Sequence, residues 1–361
     1  MRGGIVLFAK RPGVTSFSSL FSIKRALGTK KVGHTGTLDS FASGLLVVCT
    51  GSLTRIASHI TSFNKTYDAV IEFGVETDTL EYTGKIVKTA PLPKKDDVLS
   101  AIKHYTGGIL QTPPLFSALH INGERASDIA RSGRSAEMPS RPVTVYASEA
   151  EEFLFEAGDR VKAVRVRFSV SKGTYIRSLA RDIGSYCKSA AHLAGLRRLS
   201  VGSFRLEDAA GFSSLAPFTI QSVYQTISDM QKAQSASCKA GVSEHTSHSG
   251  EDVQSEVREK MQTMTESLAA ECGFGTAHIF PEYEDDFKHG RPLYSSMFEK
   301  GAGGLCAASV TCSANDVSPG SGTCASGGEG AIAVFGKHGN FLGMISRNGE
   351  DAYSYEFVIP D

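Results

Sequence analysis

The sequence predicts an α+β protein, and three observations carry that reading. Short apolar runs read as strands, segments of helical period lie between them, and composition and charge change near residue 220 in a way that divides the chain. A length of 361 residues suits two domains. Along the chain, Ile5-Val6-Leu7-Phe8 reads as a first strand and is too short for the core of a signal peptide. Ser16 can cap a helix in which Phe17, Leu20, Phe21 and Leu27 fall near one face, with Gly28 as its stop. A loop of small residues from Gly33 to Gly44 leads into Leu45-Leu46-Val47-Val48-Cys49, a buried-strand pattern. Further strands are predicted at Thr66 to Val75 and at Val161 to Val170, where Val164, Val166, Phe168 and Val170 alternate with Arg165, Arg167 and Ser169. A helix should follow near Tyr175, because Ile176, Leu179, Ala180 and Ile183 repeat at helical spacing while Arg177 and Arg181 share another side.

Beyond about residue 212 the chain turns to Ser, Gln and Glu, and residues 301–330 are rich in Gly, Ser, Ala and Cys, so both stretches read as linker or insertion. After them, residues 333–345 read as a hairpin around Gly339-Asn340, which predicts a small β domain at the end. The division expected is a catalytic unit over 1–220, a linker or variable segment over 221–270, and a small domain over 271–361 with a disordered insertion at 301–330.

The formal net charge is zero, yet residues 1–220 hold 29 Lys and Arg against 19 Asp and Glu, while residues 221–361 hold 9 against 19. The basic half should face a polyanion. Residues 1–60 hold eight Lys and Arg and a single carboxylate, Asp39. No apolar run approaches the roughly 20 residues of a membrane helix, so a cytoplasmic protein is expected. Seven cysteines form no CxxC pair, which favours free thiols over a disulfide framework or zinc ribbon; a metal site among Cys272 to Cys324 near His278 lacks the usual ligand spacing.

An aspartate side chain is ionised at neutral pH, and nearby cations hold it so. Asp39 can therefore serve as nucleophile or base. The glycines around it allow close backbone approach to a ligand, and Thr35, Thr37 and Ser40 offer hydroxyls. Polyanion binding together with one acid in the first 60 residues points to chemistry on a nucleotide. An Asx-turn in a glycine-rich loop would account for the same residues. A phosphate-cradling loop is disfavoured, because the GxxxxGK[ST] spacing is absent.

The segment Gly33-His34-Thr35-Gly36-Thr37-Leu38-Asp39 resembles the catalytic motif of the TruB family of tRNA pseudouridine-55 synthases. Further segments agree in order: Lys65-Thr66-Tyr67, Thr77-Asp78-Thr79 with Gly84, Pro114-Leu115-Phe116-Ser117-Ala118, Ser171 to Arg177, and Leu196-Arg197-Arg198 with Val201-Gly202-Ser203-Phe204. The resemblance runs from about residue 4 to 212. One departure lies at the entry motif, usually Asp-Lys-Pro-x-Gly and here Ala9-Lys10-Arg11-Pro12-Gly13, which keeps Lys10 and Gly13. Residues 287–293 and 341–345 resemble the small RNA-binding PUA domain of many members.

The resemblance implies a pseudouridine-synthase fold, with a mixed, mainly antiparallel sheet, flanking helices and a PUA-like C-terminal β domain. It implies a reaction on a uridine of the tRNA T arm that needs no cofactor and no metal, carried out by a monomer without an obligatory protein partner. By carry-over, Asp39 acts on the flipped nucleotide and pairs with Arg177. Tyr67 stacks on the base, Tyr175 and Leu196 line the pocket, and His34 fills the space the base leaves. Lys10, Lys30, Lys31, Arg197 and Arg198 are expected at phosphates. A guide-RNA-dependent synthase and a tRNA-folding helper with secondary catalysis are the alternative readings. Removal of residues 221–361 is expected to weaken tRNA binding more than chemistry.

Overall fold

Alternation of apolar residues in the first half of the chain resolves into one large sheet. The computed structural model describes residues 3–121, 123–134, 137–237, 249–299, 330–348 and 352–359. Its elements run β1 (Gly4–Lys10), α1 (Ser16–Leu27), β2 (Val32–His34), β3 (Ser43–Thr50), α2 (Ala57–Thr61), β4 (Lys65–Phe73), β5 (Val75–Thr77), β6 (Ile86–Thr89), α3 (Lys95–His104) and β7 (Gly107–Gln111). They continue with β8 (His120–Ile121), β9 (Glu124–Arg125), α4 (Ala126–Arg131), β10 (Arg141–Ala157), β11 (Arg160–Val170), α5 (Ile176–Tyr186), β12 (Ala191–Val201) and β13 (Phe204–Arg205). In the sheet β1, β3, β12, β4, β11, β10 and β7 lie side by side, with β2 on β3 and β13 on β12. Among its described pairings only β12 on β3 is parallel, so the expected mixed, mainly antiparallel sheet is what forms.

The period of two sorts residues between the two faces. From β4 and β11, Ala69, Ile71, Phe73, Val164, Val166 and Phe168 join Val98 and Ile102 of α3 and Leu179 and Ile183 of α5 in one core. On the other face Val70 and Ala163 meet Ile220 and Val223 of helix α6 (Ile220–Ser237). The arginines alternating along β11 are not simply wet: Arg167 donates to Asp68 at 2.8 and 3.0 Å, and Arg165 pairs with Glu151 and Glu152.

Helix α1 differs from expectation in two ways. Its cap is Thr15, whose Oγ1 accepts from Ser18 N at 3.0 Å. Its buried stripe is Leu20, Ile23, Ala26 and Leu27, while Phe17 and Phe21 point to solvent. Gly28 ends it as predicted, at φ 61°, with its N–H donating to Lys24 O.

Residues 221–270 contain most of α6, then α7 (Ser249–Glu259), β14 (Gln262–Thr263), which extends the large sheet beside β1, and α8 (Glu266–Glu271). The last part forms β15 (Gly275–His278), α9 (Glu284–Lys288), β16 (Leu293–Tyr294), β17 (Ala331–Phe335), β18 (Phe341–Arg347) and β19 (Ala352–Val358). These strands order as β15-β17-β18-β19-β16, with the predicted hairpin between β17 and β18. Gly339 at φ 68° makes that turn, and Gly336 N–H donates to Asn340 O at 2.9 Å. One core runs across both parts of the chain, joining Ile5, Leu7 and Val47 to Leu268, Phe274, Phe335 and Phe357. The predicted insertion at 301–330 lies outside the described residues apart from Gly330, as do Cys238, Cys306, Cys312 and Cys324. Among the described residues no cluster of three or more His, Cys, Asp or Glu could hold a metal, and no helix is long and apolar enough to cross a membrane.

Candidate active site

The loop between β2 and β3 hangs where strands part, and buried cations hold it. Lys10, at the end of β1, is 0% exposed and its Nζ donates to the carbonyls of Arg11 (3.0 Å), Ser40 (3.3 Å) and Ala42 (2.5 Å). Arg198, from β12, donates through Nε to Leu45 O at 2.8 Å and through Nη2 to Gly36 O at 3.2 Å. Ser16 of α1 accepts from Leu38 N at 2.8 Å and donates to Leu38 O at 2.9 Å. Thr61 closes the other side by donating to Thr35 O at 2.6 Å. Backbone carbonyls that the loop could not satisfy internally thus find donors on four surrounding elements.

Gly44 makes this convergence possible. It pairs with Lys10 on one side and Arg198 on the other, at φ 113°. A Cβ there would lie 2.3 Å from Arg198 O and 2.6 Å from Arg198 N.

At the loop's end Asp39 meets Arg177, from the first turn of α5. Arg177 Nε lies 2.9 Å from Asp39 Oδ2 and Nη2 lies 3.1 Å from Oδ1, a bidentate fork. Nη1 donates to Thr79 O and Nη2 to Phe116 O, each at 3.0 Å. The arginine side chain is 6% exposed while that of Asp39 keeps 35%, so the carboxylate is fixed from behind and still reachable from the front. Gln111 sets the start of α5, with Oε1 accepting from Tyr175 N at 2.8 Å and Nε2 donating to Tyr175 O at 3.1 Å.

Around the pair, burial pushes the Tyr175 hydroxyl above its ordinary pKa, and the nearby Asp39 charge pushes the same way. Burial likewise raises the carboxyl of Glu81, which a hydrogen bond from Thr83 and the charge of Arg177 partly offset and Asp39 reinforces. Tyr67 and Leu196 belong with Leu38 and Phe41 to the α5 side of the sheet, Tyr67 half-buried and Leu196 buried. His34, beside the loop on β2, has its pKa lowered by burial and then by Arg198, which favours the neutral ring. Its Nδ1 is buried and without a hydrogen-bond partner.

The structure therefore brings Asp39 and Arg177 into contact, and sets Tyr175 close enough to feel both charges. Lys10 and Arg198, expected at phosphates, are instead buried with their protons committed to backbone carbonyls, because loop and strands close over them. Arg197 divides its guanidinium between Ser43 Oγ and Ala216 O, over the Phe218 ring at 4.9 Å. Lys30 and Lys31 are exposed. Gln111 and Glu81 carried no signal in the sequence; Thr79 and Phe116 lie in segments that the sequence singles out, but nothing there marks their carbonyls as partners of Arg177.

Residues 24–176 match the TruB family of pseudouridylate synthases, N-terminal domain, a span that contains Asp39 and Tyr67 and ends beside Arg177. A tRNA pseudouridine synthase B from Treponema denticola is 46% identical over 229 residues, 60% of this chain, and the match spans 64% of that protein's length. The tRNA pseudouridine synthase B of Treponema pallidum is 36% identical over 322 residues, covering 83% of this chain and 88% of the relative. The chain belongs to the TruB family. Its fold is shared with the crystal structure of a Cbf5-Nop10-Gar1 complex, at a TM-score of 0.58 and 22% identity over 99% of this chain and 85% of that one. The matched span includes the loop on which Asp39 sits.

Proposed function

We propose that the protein converts the uridine at position 55 of the tRNA T loop to pseudouridine, acting as a monomer without a metal or cofactor. The observation that carries this reading is the Asp39–Arg177 fork: an enclosed cation holding one half-open carboxylate in a loop clamped on every side. The reaction breaks the C1′–N1 bond, turns the uracil, and forms a C1′–C5 bond. The C5 proton leaves and N1 gains one, so atoms balance without a redox partner. A stacked base cannot turn, so the nucleotide flips out at a cost of roughly a few kcal/mol. Asp39 acts on the flipped nucleotide, Arg177 holds and aims it, and Tyr67 stacks on the base and assists proton removal at C5. Tyr175 and Leu196 wall the pocket. The neutral, flat ring of His34 takes the vacated place in the T loop, as stacking requires.

The test is to incubate the protein with an unmodified tRNA transcript and map pseudouridine by position, alongside Asp39→Asn. Product at the T-loop uridine alone, and none with the variant, is the expected result. Product at other positions, or from the variant, would overturn the reading. Asp39→Asn should bind tRNA within a few-fold of wild type, since phosphate contacts supply most RNA affinity.

A further inference from the structure

Helix α1 carries two large apolar side chains where a globular protein has no structural use for them. Phe17 and Phe21 are 62% and 61% exposed. Their rings meet edge to face at a centroid distance of 5.9 Å, and Lys24 Nζ lies 5.3 Å from one centroid and 5.5 Å from the other. Positions 17, 21 and 24 share one helical face. Beyond them Arg25, Lys30 and Lys31 are exposed, and residues 1–38 contain no Asp or Glu.

This stripe starts at the candidate active site. Ser16, next to Phe17, holds Leu38 by both its N–H and its carbonyl, one residue before Asp39. A helix of 12 residues is about 18 Å long, so the face leads away from the site by roughly that distance. Aromatic faces flanked by cations are the surface that unpaired bases and their phosphates select. A second copy of the chain is disfavoured, since a two-fold contact would set Lys24, Arg25, Lys30 and Lys31 against themselves.

We infer that the outer face of α1 is a second RNA contact, in which Phe17 and Phe21 stack on exposed bases of the substrate RNA outside the modified loop while Lys24, Arg25, Lys30 and Lys31 hold adjoining phosphates. The inference rests on the RNA-modifying reading above and adds to it a surface that would separate whole tRNA from an isolated T arm.

The experiment compares wild type with the Phe17→Ser/Phe21→Ser double variant, measuring Kd for a full-length unmodified tRNA transcript and for a hairpin of the T arm alone at fixed salt. Loss of base stacking should weaken full-length tRNA binding about tenfold or more, and hairpin binding less than two-fold. In parallel, 4-thiouridine-substituted tRNA should crosslink to the tryptic peptide Arg11–Lys24. Equal affinity of both proteins for full-length tRNA would overturn the inference, as would an equal loss on both RNAs or a variant that loses only self-association in sedimentation. Product is read separately. A wild type that makes no pseudouridine while the variant loses affinity would end the synthase reading and leave the contact standing; a wild type that makes product beside an unaffected variant would end the contact alone.

Discussion

Lys10 sits out of water among three carbonyls, and burial pulls its pKa down to about 8, with Asp39 opposing that shift and Arg198 adding to it. A lysine whose folded pKa lies below its ordinary 10.5 holds fewer protons folded than unfolded between those two values. Stability from this group therefore rises with pH from about 8 to 10.5, and the charged form at neutral pH is held against the desolvation cost. Lys65 is shifted the same way, to about 7, so the two must be separated by difference. The stability of wild type minus that of Lys10→Met, from urea midpoints, should climb as pH goes from 8 to 10; a flat difference would refute the shift. Charge pattern together with the motif assigned Lys10 and Arg198 to phosphates, because a sequence shows a cation but not the carbonyls that later surround it. Asp39 and Arg177 were legible because their motifs are specific in side chain and spacing. Thr79 and Phe116 were not, since each contributes a carbonyl that any residue would have.

At the scale of elements, periodicity found the helices and strands but not always the face they bury. In α1 the four apolar residues picked from the sequence include two that the sheet never covers; Ile23 and Ala26 complete the buried stripe instead. The choice depends on where β1 and β3 present Val6, Phe8, Leu46 and Val48, which is tertiary information. The junction of β3 with β12 was equally hidden, yet it sets the site. Gly44→Ala forces a side chain into positive φ and onto Arg198 backbone, so it should lower unfolding stability by at least about 2 kcal/mol. Denaturant titration checks this, and a neutral result would mean the two strands are free to separate. For α5, Gln111→Leu leaves Tyr175 N–H without its buried partner, while the Tyr175 carbonyl keeps Leu179 N–H, at a cost of about 1–3 kcal/mol. Because Arg177 lies two residues on, the single-turnover rate should fall at least about tenfold while tRNA affinity changes little. Unchanged single-turnover kinetics would show that α5 is positioned from elsewhere.

Across the whole molecule the two parts of the chain share a core, which changes what truncation should do. Met264, Leu268, Phe274, Phe335, Met344 and Phe357 are buried against residues from β1, β3 and the segment 53–63, and β14 pairs with β1. His59 adds a 2.6 Å hydrogen bond to Cys272 O and stacks on Phe274 at 4.4 Å, while Arg55 lies over the Phe357 ring at 5.4 Å. Each large side chain contributes about 1.5–3 kcal/mol on burial, so losing six exceeds much of the roughly 5–15 kcal/mol that holds a domain folded. A chain ending at residue 219 should therefore lose cooperative unfolding, rather than merely bind tRNA less tightly as an accessory domain would imply. Circular dichroism across a urea titration, with limited proteolysis of both proteins, distinguishes the cases. A sharp transition near the wild-type midpoint would mean that residues 3–219 fold alone and that the shared core is a docking surface; a broad transition and rapid cleavage within β1 and β3 would mean that the C-terminal part completes the sheet from which Lys10 and Gly44 hold the Asp39 loop.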